Sequence, residues 1–240
     1  MQHHNRICCF HVLAGKGFYL LICIRIANDH RCDRFSSTRF DLVQVCNDKQ
    51  IAHVAEAIRQ AERPVICAGG GVWLAHARDE LLELAETANI PVVKTMMGIG
   101  LMPTDHPLNL GMIGAHGNHC ANKALAKSDL LIMVGTRAAD RAIISPDEIQ
   151  RRMATIHIDV DPAEIGKNMQ AAVPLVGNVK VILRQILDMG VSSTDSADWL
   201  AMLRDYRKAE LSRVFPKRPG SVFPGTAIRR LGAKLDEDAV

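Results

Sequence analysis

Gly135-Thr136-Arg137 ends the apolar run Leu130 to Val134, and Asp159 ends the next such run, Thr155 to Ile158. A glycine turn followed roughly 20 residues later by an acid is the spacing with which a nucleotide-binding sheet offers a backbone turn to a diphosphate and a carboxylate to a ribose. Asp159 serves equally well as the cap of the following turn. Gly69-Gly70-Gly71 closes another apolar run, Val65 to Ala68, but lacks the G-x-G-x-x-G spacing. It reads either as a tight turn or as a loop open to close approach by a phosphate. Arg137 and Arg141 lie four apart past a strand end, where a fork of donors suits phosphate or carboxylate; a solvated surface pair is the competing reading. His116, His119 and Cys120 are metal-ligand types, yet no second cluster completes a set, so no metal is assigned. No nucleophile, base and orienting group come together, and no catalytic residue is assigned.

The elements that must position these residues alternate. Asp48 is placed to cap a helix with Ile51, Val54, Ala55 and Ile58 on one face, closed by Pro64. Val65 to Ala68 reads as a strand buried on both faces, and a helix with Leu81, Leu84, Ala85 and Ala88 follows, stopped at Asn89 before Pro91. Pro91 to Thr95 is the next strand, with Thr95 to Gly100 as the loop at its carboxyl end. Met102 to Gly114, with two prolines, is expected to be a loop over the sheet, and His116 to Lys127 a helix. Asp161-Pro162-Ala163-Glu164 has the pattern of a helix start, Val173 to Val176 is a last strand ending in Gly177-Asn178, and Val179 to Leu187 is a helix. This alternation predicts an α/β fold, a doubly wound parallel sheet with helices on both faces. Beyond Gly190 an amphipathic helix surrounds Trp199, Leu203 and Tyr206, and the Pro/Gly-rich stretch 215–224 reads as a linker.

At 240 residues and 48% hydrophobic composition the chain has the material for a large core. Its net charge of +3 comes from residues 1–47, with six basic against three acidic side chains. The balanced remainder has no electrostatic footprint for nucleic acid. Five of the seven cysteines fall in the first 46 residues, and the others, Cys67 and Cys120, are isolated. That usage opposes a secreted disulfide framework and suits a reducing, cytoplasmic setting. The run Phe18 to Ala27, interrupted by Arg25, is shorter than the roughly 20 residues of a membrane span, so no membrane partner is expected. Residues 1–47 show neither helical nor strand periodicity and stay unassigned; 48–190 form the α/β domain and 191–240 a helix and linker.

Several collinear segments carry a resemblance: 63–72 (Arg-Pro-Val-Ile-Cys-Ala-Gly-Gly-Gly-Val), 95–100 (Thr-Met-Met-Gly-Ile-Gly), 106–112, 116–122, 128–137 and 156–168. Together they resemble the central domain of the large subunit of acetolactate synthase (acetohydroxyacid synthase), a thiamine-diphosphate-dependent enzyme. The resemblance runs from about Ile51 to the C-terminus. It implies FAD bound in an extended pose at Gly69, Gly70, Gly71, Thr95, Met96, His116, Gly135, Arg137, Asp159, Glu164 and Gly177, with Asn178 at a neighbouring cofactor position. Asp140 and Arg141 would lie near the acceptor 2-keto acid. The family decarboxylates one 2-keto acid and joins it to another in branched-chain amino-acid synthesis. Thiamine diphosphate and magnesium are held by other domains, and the flavin is a structural support. A homo-oligomer and a regulatory subunit are the partners implied.

The pattern departs from the family at Ala139, where a carboxylate is usual, at Asn178, where an acid is usual, and at Ala115, where a methionine is usual. The pyrimidine-binding and diphosphate-binding domains have no counterpart, so the chain is expected to be a fragment or a disrupted gene product. Residues 191–240 would lead toward the missing C-terminal domain. Two alternatives stay open: a non-flavin relative of the catabolic acetolactate synthase or oxalyl-CoA decarboxylase type, holding ADP or nothing, and a non-catalytic interaction module.

Overall fold

A computed structural model of the chain describes residues 8–14, 17–23, 46–139, 142–143, 146–192, 196–212, 220 and 222–235. It divides into two compact units, Met1–Asp41 and Leu42–Val240. The first contains an antiparallel pair, β1 (Cys8–Ala14) and β2 (Gly17–Cys23), in register from Cys8 opposite Cys23 to Ala14 opposite Gly17. Sequence periodicity does not reveal this pair because both segments are nearly continuous apolar runs with no polar alternation.

The second unit is built on six parallel strands: β3 (Pro64–Ala68), β4 (Val92–Lys94), β5 (Asn109–Met112), β6 (Leu130–Val134), β7 (Ala154–Asp159) and β8 (Val173–Val176). Their spatial order is β5-β4-β3-β6-β7-β8. Every residue of β3 and β6 is buried, which explains their unbroken apolar sequences: both faces are covered. One face, carrying Ile66, Ile132, Ile156 and Ile158, packs against α1 (Asp48–Gln60), α3 (Arg78–Thr87) and α6 (Val179–Asp188). The other, carrying Val65, Cys67, Leu131 and Met133, packs against α4 (His119–Lys127), α5 (Pro146–Arg152) and α7 (Ala197–Leu211). Each such aliphatic side chain, fully buried, contributes about 1.5–3 kcal/mol. Two further helices are α2 (Gly70–Leu74) and α8 (Pro224–Gly232).

Several local expectations change. Asn47, not Asp48, caps α1: its side chain accepts the Lys49 N–H at 3.0 Å while Gln50 reaches back to the Asn47 N–H. The expected loop from Met102 to Gly114 contains strand β5, hidden in the sequence because it is short, occupies the sheet edge and has a register shift opposite Val92 and Val93. Asp161 to Asn168 forms turns instead of a helix; Gly166 has φ +77°, a left-handed conformation that breaks a right-handed helix. Most of the stretch read as a linker lies outside the described residues.

The helix expected around Trp199 is α7, and it is tied to the sheet. Trp199 is buried and its Nε1 donates to Pro64 O at 3.2 Å, an acceptor on the first residue of a central strand. Asn178, from the group of expected cofactor residues, caps α6: its Oδ1 accepts the N–H groups of Lys180 (2.9 Å) and Val181 (3.4 Å). Asn178→Ala should therefore cost about 1 kcal/mol in urea unfolding, whereas Asn178→Asp, an equally good cap, should be nearly neutral. Equal stability of the Ala variant would show that the cap is dispensable.

Candidate functional site

Strand order reverses between β3 and β6: from β3 the chain proceeds outward to β4 and β5, then returns to the other side of β3 for β6, β7 and β8. Loops leaving two adjacent strands in opposite directions open a crevice at their carboxyl ends, where ligands of open α/β sheets bind. The loop after β3 carries Gly69, Gly70 and Gly71, and the loop after β6 carries Gly135, Thr136 and Arg137.

These two loops are joined closely. Gly69 N–H donates to Val134 O at 3.0 Å, and Gly71 N–H donates to Gly135 O at 2.9 Å. A Cβ on Gly69 would stand 2.4 Å from Gly135 O, and one on Gly71 would stand 2.7 Å from Gly135 Cα. Gly98 closes the third side, since its Cβ would stand 2.4 Å from Ala68 O. Close packing of the three loops thus accounts for glycine at positions 69, 71 and 98. At Gly70 the nearest neighbour of a Cβ would be the Met97 side chain, at 3.1 Å.

The β6 loop is pinned from below and beside. Gly135 N–H donates to Ile158 O at 2.8 Å, and Asn168 Nδ2 donates to Ala138 O at 2.7 Å. His157, only 1% exposed, has Nε2 at 2.9 Å from Thr136 O; because a carbonyl only accepts, Nε2 carries the proton. Its Nδ1 has no partner among the described residues, and burial pulls the imidazole below its usual pKa, keeping it neutral. His157 is a supporting residue that the sequence reading passed over; the signal was an ionisable side chain inside the apolar run of β7.

On this pinned loop Arg137 is 71% exposed along its side chain, and its Nε lies 3.7 Å from Glu164 Oε2. Glu164 also meets Lys167 Nζ at 2.9 Å. Asp159 is half-buried at the end of β7, its Oδ1 accepting the Asp161 N–H at 2.9 Å, so one carboxylate oxygen stabilises the turn. Gly177 N–H donates to Asp159 O at 2.9 Å, joining the ends of β7 and β8. On the β4 side, Thr95 N–H donates to Ala68 O at 3.0 Å. Met96 follows, 68% exposed, with Met97, Ile99 and Trp73 also exposed nearby. Gly69 to Gly71, Thr95, Met96, Gly135, Arg137, Asp159, Glu164, Gly177 and Asn178 thus all lie at the carboxyl ends of β3, β4, β6, β7 and β8. His116 lies beyond β5, exposed in a turn at the outer edge of the sheet. Asp140 and Arg141 lie outside the described residues.

Nothing at 116–120 resembles a ligand set. The Cys120 thiol donates to Leu110 O at 3.1 Å and is pushed up to about 12 by burial and then by Glu210. Among the described residues no three His, Cys, Asp or Glu side chains stand together as metal ligands. No helix among them is long and apolar enough to cross a membrane.

Residues 51–186 match the family described as thiamine pyrophosphate enzyme, central domain. The chain belongs to that family. Among curated relatives it is similar to acetolactate synthase of Mycobacterium bovis, 42% identical over 199 residues, which are 81% of this chain and 32% of the relative. It is also similar to the probable acetolactate synthase large subunit of Methanocaldococcus jannaschii, 44% identical over 191 residues, 78% of this chain and 32% of that protein. The acetolactate synthase large subunit of Lactococcus lactis is 31% identical over 194 residues, 80% of this chain and 33% of that protein. The chain spans about a third of the length of these relatives.

A dinucleotide such as FAD fits the donor set: an exposed guanidinium for its phosphates, carboxylates for its hydroxyls and exposed methionine and tryptophan side chains for a flat ring. The described residues offer no cluster of metal ligands beside which a metal-held diphosphate, such as that of thiamine diphosphate, could sit.

Proposed function

We propose that this chain is the dinucleotide-holding central part of an acetolactate-synthase-type enzyme, one that decarboxylates a 2-keto acid and couples it to a second, and that its ligand is FAD. The observation that carries this reading is the reversal of strand order between β3 and β6, with a pinned glycine loop presenting an exposed Arg137 at the opening. Arg137 would neutralise the diphosphate, Asp159 would keep one carboxylate oxygen for a ribose hydroxyl, and Met96 would lie against a ring. FAD here supplies no bond-making step and serves as a support for the loops. Asp140 and Arg141 would face the acceptor carboxylate, and thiamine diphosphate with magnesium would be bound by other parts of the whole enzyme. Cytoplasmic location, self-association and a regulatory subunit follow from the same reading.

A non-flavin relative holding ADP is the second reading, favoured by Ala139, whose exposed methyl supplies no carboxylate beside Arg137. Flavin fluorescence separates the two. Titration of the chain should quench FAD, and Arg137→Ala should loosen binding at least about tenfold, since a charge-assisted contact is worth roughly 1.5–3 kcal/mol. Equal affinities in the two proteins would remove Arg137 from the site. ADP binding without flavin binding would select the second reading.

A further inference from the structure

At the other end of the sheet from the crevice, a cavity of about 320 Å³ opens where α7 passes the edge strand β5. Its walls are apolar: Pro91, Leu108, Leu110, Leu200 and Leu203. Pro91 precedes β4 and Leu108 precedes β5, so the cavity lies at the amino ends of those strands, away from the loops that carry Gly69 to Gly71 and Arg137.

Its polar lining is unbalanced. Arg204 is exposed at the wall and, among the described residues, makes no hydrogen bond or ion pair. Arg207 is held by carbonyls only, donating to His106 O at 2.7 Å and Thr104 O at 2.9 Å. Neither guanidinium has a carboxylate partner among the described residues. The one carboxylate in the lining, Glu86, is engaged by His106 Nε2 at 3.1 Å. His106 Nδ1 accepts the Leu108 N–H, so Nε2 carries the proton that faces Glu86. Lys94, at the end of β4 and outside the cavity lining, is only 6% exposed and likewise without a carboxylate partner among the described residues. Burial, and next the charge of Arg207, pull its pKa below the usual lysine value. Two guanidinium cations therefore line an apolar cavity against a single carboxylate.

We propose that this cavity binds a small apolar carboxylate, its head on Arg204 and its hydrocarbon tail against Leu108, Leu110, Leu200 and Leu203. An apolar tail fits the walls, a monoanion offsets the excess cation, and a fork of guanidinium donors matches a carboxylate in shape. The volume is at the small end of the range for ligand sites, which limits the occupant to a compact molecule. A ligand with its own ammonium group is disfavoured, because Arg204 and Arg207 would repel it.

Calorimetric titration of the full chain with isocaproate, isohexanol and isohexylamine tests this, since the three share one tail and differ in the charge of the head. Isocaproate should bind with a dissociation constant on the order of 1 mM, and isohexanol at least about tenfold more weakly. Isohexylamine should be the weakest. Arg204→Ala, a change at an exposed and unpaired side chain, should weaken isocaproate at least about fivefold without lowering the melting temperature, and Arg204→Glu should reverse the preference in favour of the amine. The proposal is overturned if isocaproate does not bind, if the alcohol binds as well as the acid, or if neither Arg204 variant alters the order.

Discussion

Gly69→Ala should destabilise the Leu42–Val240 unit by at least about 3 kcal/mol, the range of severe core overpacking. The added methyl would meet Gly135 O at 2.4 Å and Thr136 Cβ at 2.5 Å. The oxygen is backbone, so no rotamer change relieves the first contact. Nor is Gly135 free to retreat. Its N–H is bound to Ile158 O and its carbonyl accepts from Gly71 N–H, while Thr136 O is held by His157. Gly135 also has φ +54°, where a substituted residue is strained in addition to meeting Gly71 C at 2.8 Å. Gly166→Ala is the matched control: its φ of +77° costs about 1 kcal/mol, but no atom lies within 4 Å of its Cβ. Urea unfolding of both variants checks the contrast. Comparable losses in the two would mean that the β3 and β6 loops do not pack as closely as described. On the FAD reading, a Gly69→Ala protein that remains folded should also bind flavin more weakly, because the loop carrying Arg137 would have moved.

This contrast bears on how glycines are read in a sequence. Three in a row after a buried strand suggest a loop kept open for a phosphate, yet at Gly69 and Gly71 the space that a side chain would occupy is filled by the protein's own β6 loop. The glycines bring two loops together, and the resulting ridge presents Arg137. A ligand would be recognised by the charged and apolar groups around that ridge.

The sheet's central strands were legible because burial on both faces leaves an unbroken apolar run bounded by Pro or Gly, as in Pro64–Ala68 and Leu130–Val134. Helices α1, α3 and α6 were legible because each has one apolar face at helical spacing. Elements lacking such periodicity were missed. β5 is a four-residue edge strand with Gly111 at φ +91°, and α5 contributes only Ile149 to the core within seven residues. The candidate site was legible where it follows strand ends in the chain: Gly135, Arg137, Asp159 and Gly177. Residues that act through long-range contact left no local pattern. His157 supports the site loop from within β7, and Arg207 holds the carbonyls of Thr104 and His106 across more than a hundred residues. Glu210 leaves no trace in the sequence near α4, the helix whose N-terminus it caps.

Glu210→Ala should cost about 2–3 kcal/mol, because it strips the partners from several groups at once. Asn118 is the N-cap residue of α4, but its Oδ1 is already used by Met112 N–H at 2.8 Å, so it makes no side-chain cap. The missing acceptor arrives from α7: Glu210 Oε1 accepts the His119 N–H at 3.0 Å and Asn118 Nδ2 at 3.2 Å, and Oε2 accepts the Cys120 N–H at 3.0 Å. A carboxylate at a helix N-terminus also meets the positive end of the helix dipole. Glu210→Gln keeps one acceptor oxygen and should cost less, about 1 kcal/mol. Burial raises the Glu210 carboxyl, but hydrogen bonds from Cys120, His119 and Asn118 outweigh it and hold the group below its ordinary value. A folded pKa below the unfolded one stabilises the protein fully above the unfolded value, near 4.3, and this contribution is lost as pH falls through the folded value. The stability gap between wild type and Glu210→Gln should therefore be widest at neutral pH and shrink below about pH 4. Urea unfolding of the pair at both ends of that range measures it. A gap that stays constant with pH would show that the Glu210 charge plays no part in joining α7 to α4.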